Sequence, residues 1–251
     1  MNIVITIIIC LLVASVALAT RPLLRPELSM CQSRRAHFVH QGQNYLFSWI
    51  DQTAPKMDWI DARNFCRQRC MDATSIDSAS QWQALKRVIE PTLRADMGDL
   101  SSREPEDRVP AIWTSGRLCD FDGCEKAEHF KPIHLKGWFW SSNNQRMSDT
   151  DCVSGQRRCF HEWSNHGKFG FPQPDSRELR EEGLEGNESC LALLFNAYSS
   201  SSSSSSANNN SAEAGLKWHD KACYHKMHFV CQDSKTLLRY ARRKWRGTNI
   251  P

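Results

Sequence analysis

WIDARNFCRQRCMDATSIDS, residues 59–78, begins as one helix and ends where a second begins. Asp58, just ahead of it, is a helix N-cap residue: its carboxylate can accept from backbone amides that a first helical turn leaves unpaired. Trp59, Ala62, Phe65 and Cys66 then recur at three- and four-residue spacing, so one face is apolar. Ser78 or Ser80 starts the next helix, and Trp82, Leu85 and Ile89 mark its buried face. Pro91 is expected to stop it, because proline lacks an N–H and its ring clashes with the preceding turn.

Outward from this segment the pattern changes to strands. Upstream, QNYLFSWI (43–50) reads as an aromatic-rich strand. Downstream, a charged loop at 95–108 precedes AIWTSG, KGWFWSS, CLALLF, LKWHD and HFVCQ, short strand candidates separated by irregular stretches. Two helices followed by short strands indicate an α+β domain. Nine tryptophans and eleven phenylalanines can fill a sizeable core. Residues 199–214, rich in serine and asparagine, have nothing to bury and are expected to be a disordered insert.

Residues 1–19 are expected to be a cleaved signal peptide: Ile3 to Ala19 carry no charge, and Ala17-Leu18-Ala19 resembles a peptidase site. The protein is then secreted, and ten of its eleven cysteines remain in an oxidising compartment. No C-x-x-C zinc-finger spacing occurs. Residues 20–36 read as a flexible lead-in, and 37–233 as the domain. The net charge of +4 sits at the end: 234–251 form a basic tail with Lys235, Arg239, Arg242, Arg243, Lys244, Arg246 and no acid. That tail is either a solvated, frayed end or a contact for anionic glycans or membrane surfaces.

The ordered motifs together resemble the C-type lectin-like domain. WIDARNFCRQRCMDATSIDS looks like the family's first helix. IWTSGRL resembles the core motif in the form common in secreted insect lectins. GWFWSSNNQRM, FHEWSNHGKFGFPQPD, GNESCLAL, GLKWHDKAC and HFVCQ follow in the family's order. The resemblance implies a C-type lectin-like fold, with two helices, short antiparallel strands, a long calcium- and sugar-binding loop and disulfide staples. It implies the pairs Cys66–Cys231 and Cys190–Cys223. With those taken, Cys119–Cys124 and Cys152–Cys159 are near enough for local loops, and Cys31 is left with Cys70.

The resemblance also gives FPQPD (171–175) a role. A cis bond before Pro174 would turn Gln173 and Asp175 toward one point. In the family those two groups, with the counterparts of Glu188 and Asp220, hold a calcium ion, which takes 6–8 oxygen ligands. Two sugar hydroxyls then complete its shell, and Gln-Pro-Asp resembles the galactose-selective version. His219 stands where the family has asparagine, and its neutral imidazole suits zinc or copper better than calcium. Galactose usually stacks on an aromatic ring. None occurs between Ser176 and Ser189, though Trp163, Phe169, Phe171 and Trp218 are near in sequence and Trp218 is expected in the core. Glu178, Glu181, Glu182 and Glu185 are further carboxylates that could substitute as ligands.

The chain is therefore expected to be a secreted, calcium-dependent, carbohydrate-binding lectin. The rival expectation is a lectin-like module that has lost calcium and sugar and contacts extracellular matrix or cell-surface proteins. Catalysis is not expected, since G-x-S-x-G, H-E-x-x-H and a Gly-rich phosphate loop are all missing. His225 and His228 are three apart in a loop-and-strand region and face opposite ways, which disfavours zinc. Nucleic acid is not expected as a partner of a secreted chain. Asn187 and Asn209 head N-x-S sequons and are the expected glycosylation sites, although Asn187 can also simply shape a turn.

Overall fold

The computed structural model describes residues 21–51, 54–97, 109–119, 121–153, 156, 159–177, 187–195 and 215–251. The expected leader at 1–19, the insert at 199–214 with Asn209, the four glutamates from 178 to 185, and residues 98–108 of the charged loop lie outside the described residues.

Five helices are described: α1 (Leu28–Gln32), α2 (Trp59–Gln68), α3 (Ala79–Met97), α4 (Ile133–Lys136) and α5 (Lys235–Lys244). The strands are β1 (Phe38–His40), β2 (Gln43–Phe47), β3 (Met71–Ala73), β4 (Ala111–Leu118), β5 (Trp138–Trp140), β6 (Gln145–Arg146), β7 (Cys190–Phe195), β8 (Leu216–Lys221) and β9 (His228–Asp233). The last long strand, β9, is the hub. It pairs antiparallel with β2 and β3, and parallel with the start of β4 through Ile112↔His228 and Trp113↔Phe229. β4 also pairs antiparallel with β5 and β7, and β7 with β8.

The helices begin where their caps allow. Asp58 accepts from Asp61 N at 3.0 Å, and Ser78 Oγ accepts from Gln81 N at 3.3 Å. Pro91 does not end α3, contrary to expectation; the helix continues to Met97. Tertiary packing overrides the local penalty. Leu93 extends the Leu85–Ile89 stripe into the core, and the Thr92 hydroxyl takes the carbonyls of Val88 and Ile89.

The lead-in is also not the loose segment expected. Cys31 is bonded to Cys70, Leu24 N donates to Asn64 Oδ1 at 2.8 Å, and Arg21 pairs with Asp58 and Asp61. These contacts lay residues 21–31 along α2, and Arg34 pairs with Asp233 at the end of β9. Nor is the basic tail frayed. Ser234 caps α5, whose Leu238 and Ala241 pack with Cys31, Cys70 and Ile250. The remaining disulfides are Cys66–Cys231, Cys119–Cys124, Cys152–Cys159 and Cys190–Cys223. Cys66–Cys231 spans 165 residues and ties α2 to the hub strand. Chain-entropy arguments assign so long a closure about 5 kcal/mol, an upper figure since native strain subtracts from it.

Tryptophans fill the space behind the β7–β8 pair. Trp218 is in the core, as expected, with edge-to-face contacts to Trp82, Trp140, Phe160 and Trp163 at ring separations of 5.4–6.2 Å. This rigid floor lies under the residues considered next. No helix among the described residues is long and apolar enough to cross a membrane.

Candidate cation-binding site

Backbone pairing, more than side-chain choice, assembles the site. In the β7–β8 ladder Leu191 faces Asp220 and Ala192 faces His219. Glu188 lies just ahead of β7, and the Cys190–Cys223 bond ties the start of β7 to the residues just past β8. On the other edge of β8 the chain at 162–164 runs alongside: Trp218 N donates to Glu162 O, and Ser164 N to Trp218 O. A turn at 167–171 then brings Gln173 back, where its N donates to Ser164 O at 2.8 Å. The following Gln173–Pro174 bond is cis.

These contacts bring Asp175, Glu188 and Asp220 together. One carboxylate oxygen from each lies within 4.8 Å of the others, and all three residues are buried. Asp220 is held by two backbone donors, Asp175 N at 3.1 Å and Ser176 N at 2.7 Å. Both oxygens of Asp175 are buried with no hydrogen-bond partner, although the residue is only 9% exposed. A buried carboxylate left in that state is costly unless something positive faces it. Burial first, then the neighbouring Glu188 charge, pushes the Asp220 carboxyl up to about 7; its two amide donors pull the other way.

Gln173 and His219 face each other. His219 Nδ1 lies 3.2 Å from Gln173 Oε1; an amide oxygen only accepts, so Nδ1 carries the proton. Burial, and then the Lys221 charge, lowers the His219 imidazole to about 3, so it is neutral at physiological pH. The Gln173 amide and the Asp175 carboxylate both crowd Gly167, where an added Cβ would stand 2.3 Å from Gln173 Nε2 and 3.1 Å from Asp175 Oδ2. Only glycine allows that approach.

Three participants were not anticipated from the sequence. Lys221 Nζ and Arg177 lie 3.7 and 3.8 Å from Glu188 Oε1, beyond hydrogen-bond length but close enough to offset charge. Gly167 is the third. Lys221 follows Asp220 directly, and strand alternation would send it to the opposite face, so the sequence carried no signal for its reach. Asn187 is exposed beside Glu188. His228 Nδ1 contacts Ser48 Oγ at 3.3 Å.

The donor set decides which ion fits. Asp175, Glu188 and Asp220 offer only hard oxygens, with the unpartnered Asp175 oxygens among them, which suits calcium and not a nitrogen- or sulfur-seeking metal. The residues present therefore fit a hard divalent cation. The Gln173 oxygen is already engaged by His219.

No family model and no curated protein matches the chain. Among solved structures, the mouse scavenger receptor C-type lectin carbohydrate-recognition domain aligns with a TM-score of 0.42 at 15% identity, covering 78% of this chain and 94% of that one. Human lithostathine aligns at 0.41 and 14%, covering 86% and 100%. The cow C-type carbohydrate-recognition domain of CD23, in the presence of GlcNAc2Man3 oligosaccharide, aligns at 0.39 and 16%, covering 79% and 93%. The α+β architecture is the one that the lectin-like resemblance implies. Its own marks are the helix-to-last-strand disulfide, the second disulfide across β7 and β8, and a long loop returning to β8.

Proposed function

We propose that this chain is a secreted, non-enzymatic lectin that binds calcium through Asp175, Glu188 and Asp220, and a galactose-type glycan through that calcium. The convergence of three buried carboxylates, one with both oxygens unpartnered, carries the reading. Calcium would supply the positive charge the cluster lacks and two coordination positions for adjacent sugar hydroxyls. The chain's own residues would orient the sugar. Asp175 and Glu188 can accept from its hydroxyls, while the Gln173 amide, held by His219, can donate. Trp163 and Trp218 are buried, which leaves Phe169 and Phe171, 46% and 52% exposed, as the rings able to stack on an apolar sugar face. The five disulfides suit an oxidising, extracellular setting.

A second reading has its own observation. Lys221 and Arg177 stand beside Glu188, so the cluster is partly neutralised from within, and His219 occupies the Gln173 oxygen. On that reading the domain is an extracellular or matrix interaction module without calcium. Galactose-resin retention separates the two. Retention with calcium, released by chelator, is expected for the lectin. No calcium-dependent retention on galactose or across a sugar array leaves the interaction module.

A further inference from the structure

The basic face of α5 is independent of the carboxylate cluster and shares no residue with it. Lys235, Arg239, Arg242, Arg243 and Arg246, with Leu238, line an open groove of about 420 Å³. The five cations are exposed, and residues 234–251 contain no acid. Asp233, just ahead of the helix, is already paired with Arg34. Among the described residues none of the five forms an ion pair. Lys235, Arg239, Arg242 and Arg243 follow the three- and four-residue rhythm of one face of α5, and Arg246, just past its end, lines the same groove, so the charges form a stripe. From Lys235 to Arg243 that stripe runs roughly 12 Å at helical rise.

We propose that this groove binds a sulfated polysaccharide. A linear chain of sulfates lying along α5 meets successive guanidinium groups, each able to grip an oxyanion through two parallel hydrogen bonds. The stripe repels itself when bare, and a polyanion relieves that repulsion. A membrane surface fits less well. A helix that lies in a bilayer interface needs its apolar side free. Here that side is spent on the protein: Leu237 is buried, and Leu238 and Ala241 pack against the Cys31–Cys70 disulfide and Ile250. Because those residues anchor the helix, the charges stand on a fixed scaffold and not on a loose tail.

The test uses the full chain with heparin as the probe, in chelator so that calcium plays no part. Saturable binding that weakens steeply with salt is expected. Changing Arg239, Arg242, Arg243 and Arg246 together to Gln should weaken it roughly a hundredfold at low salt, since four of the five cations lining the groove are removed. A control changing the exposed Lys56, Arg87, Lys126 and Lys131 to Gln removes the same charge outside the groove and should cost less than about threefold, since none of the four lines it. Neither set should lower the melting temperature, as all eight side chains are exposed. Equal losses from the two sets, absence of heparin binding, or tighter binding to vesicles containing phosphatidylserine than to heparin would each overturn the proposal. Loss of calcium binding elsewhere in the chain would leave this result unchanged, so the two readings fail separately.

Discussion

Asp220 gives the calcium-free protein a stability that runs against pH in a calculable way. Its carboxyl is pushed up to about 7 in the folded chain, against 3.8 as the ordinary value. Between those values the folded state holds a proton that the unfolded state has released, so the contribution is full below pH 3.8 and is lost as pH rises through about 7. The limiting slope is about 1.4 kcal/mol per pH unit. Over the whole interval the ceiling is about 4 kcal/mol, and relaxation of a coupled buried cluster brings the expected figure to roughly 2–4 kcal/mol.

His219 runs the other way. Its imidazole, lowered to about 3 from 6.5, must be neutral to fold, so its contribution rises with pH across that range. The raw profile mixes the two, and a difference is needed. Asp220→Asn keeps one neutral acceptor for the Asp175 and Ser176 amides, gives up the other at a cost that does not vary with pH, and removes the titration. Melting in chelator from pH 4 to pH 8 should therefore show wild type falling relative to the variant by roughly 4–16 °C, at about 2–4 °C per kcal/mol for a chain of this size. A wild-type-minus-variant difference that stays flat over that range refutes the claim that burial and Glu188 hold Asp220 protonated.

Three further outcomes follow from the same geometry. Calcium must expel the Asp220 proton, so its apparent affinity should drop by up to about tenfold per pH unit below pH 7, read by calorimetry across buffers. His219→Asn should free the Gln173 oxygen and add a carbonyl donor, raising calcium affinity about tenfold; unchanged affinity would show that the imidazole does not limit the site. Replacing Phe169 and Phe171 with Ala should weaken galactose retention by up to about tenfold with calcium affinity unaltered, and equal retention would remove stacking from the account.

Much of the fold was legible because it is written in local chemistry. Asp58 and Ser78 do cap their helices, and the Trp82–Leu85–Ile89 stripe and Trp218 are in the core. Where reading failed, distant contacts decided. Nothing near Pro91 announces that Leu93 will be buried against the core, and that burial carries α3 past the proline. The tail did carry a signal: Ser234 as a cap, then Leu237, Leu238 and Ala241 on one side, masked by the density of charge. At the site, the three carboxylates could be picked out from motif order. The Gln173–His219 hydrogen bond and the approach of Lys221 and Arg177 to Glu188 could not, since each depends on where a loop returns to β8.

The central claim is that three carboxylates brought together from separate parts of the chain surround one calcium ion. Calorimetric titration of the intact protein with calcium at pH 7.5, beside Asp175→Asn, tests it most directly. One site with a dissociation constant of about 10⁻⁴–10⁻³ M is expected, weakened at least tenfold in the variant, which loses the charge of a residue whose two oxygens have no other partner. No calcium binding up to about 10 mM, or an affinity that Asp175→Asn leaves unchanged, would contradict the account.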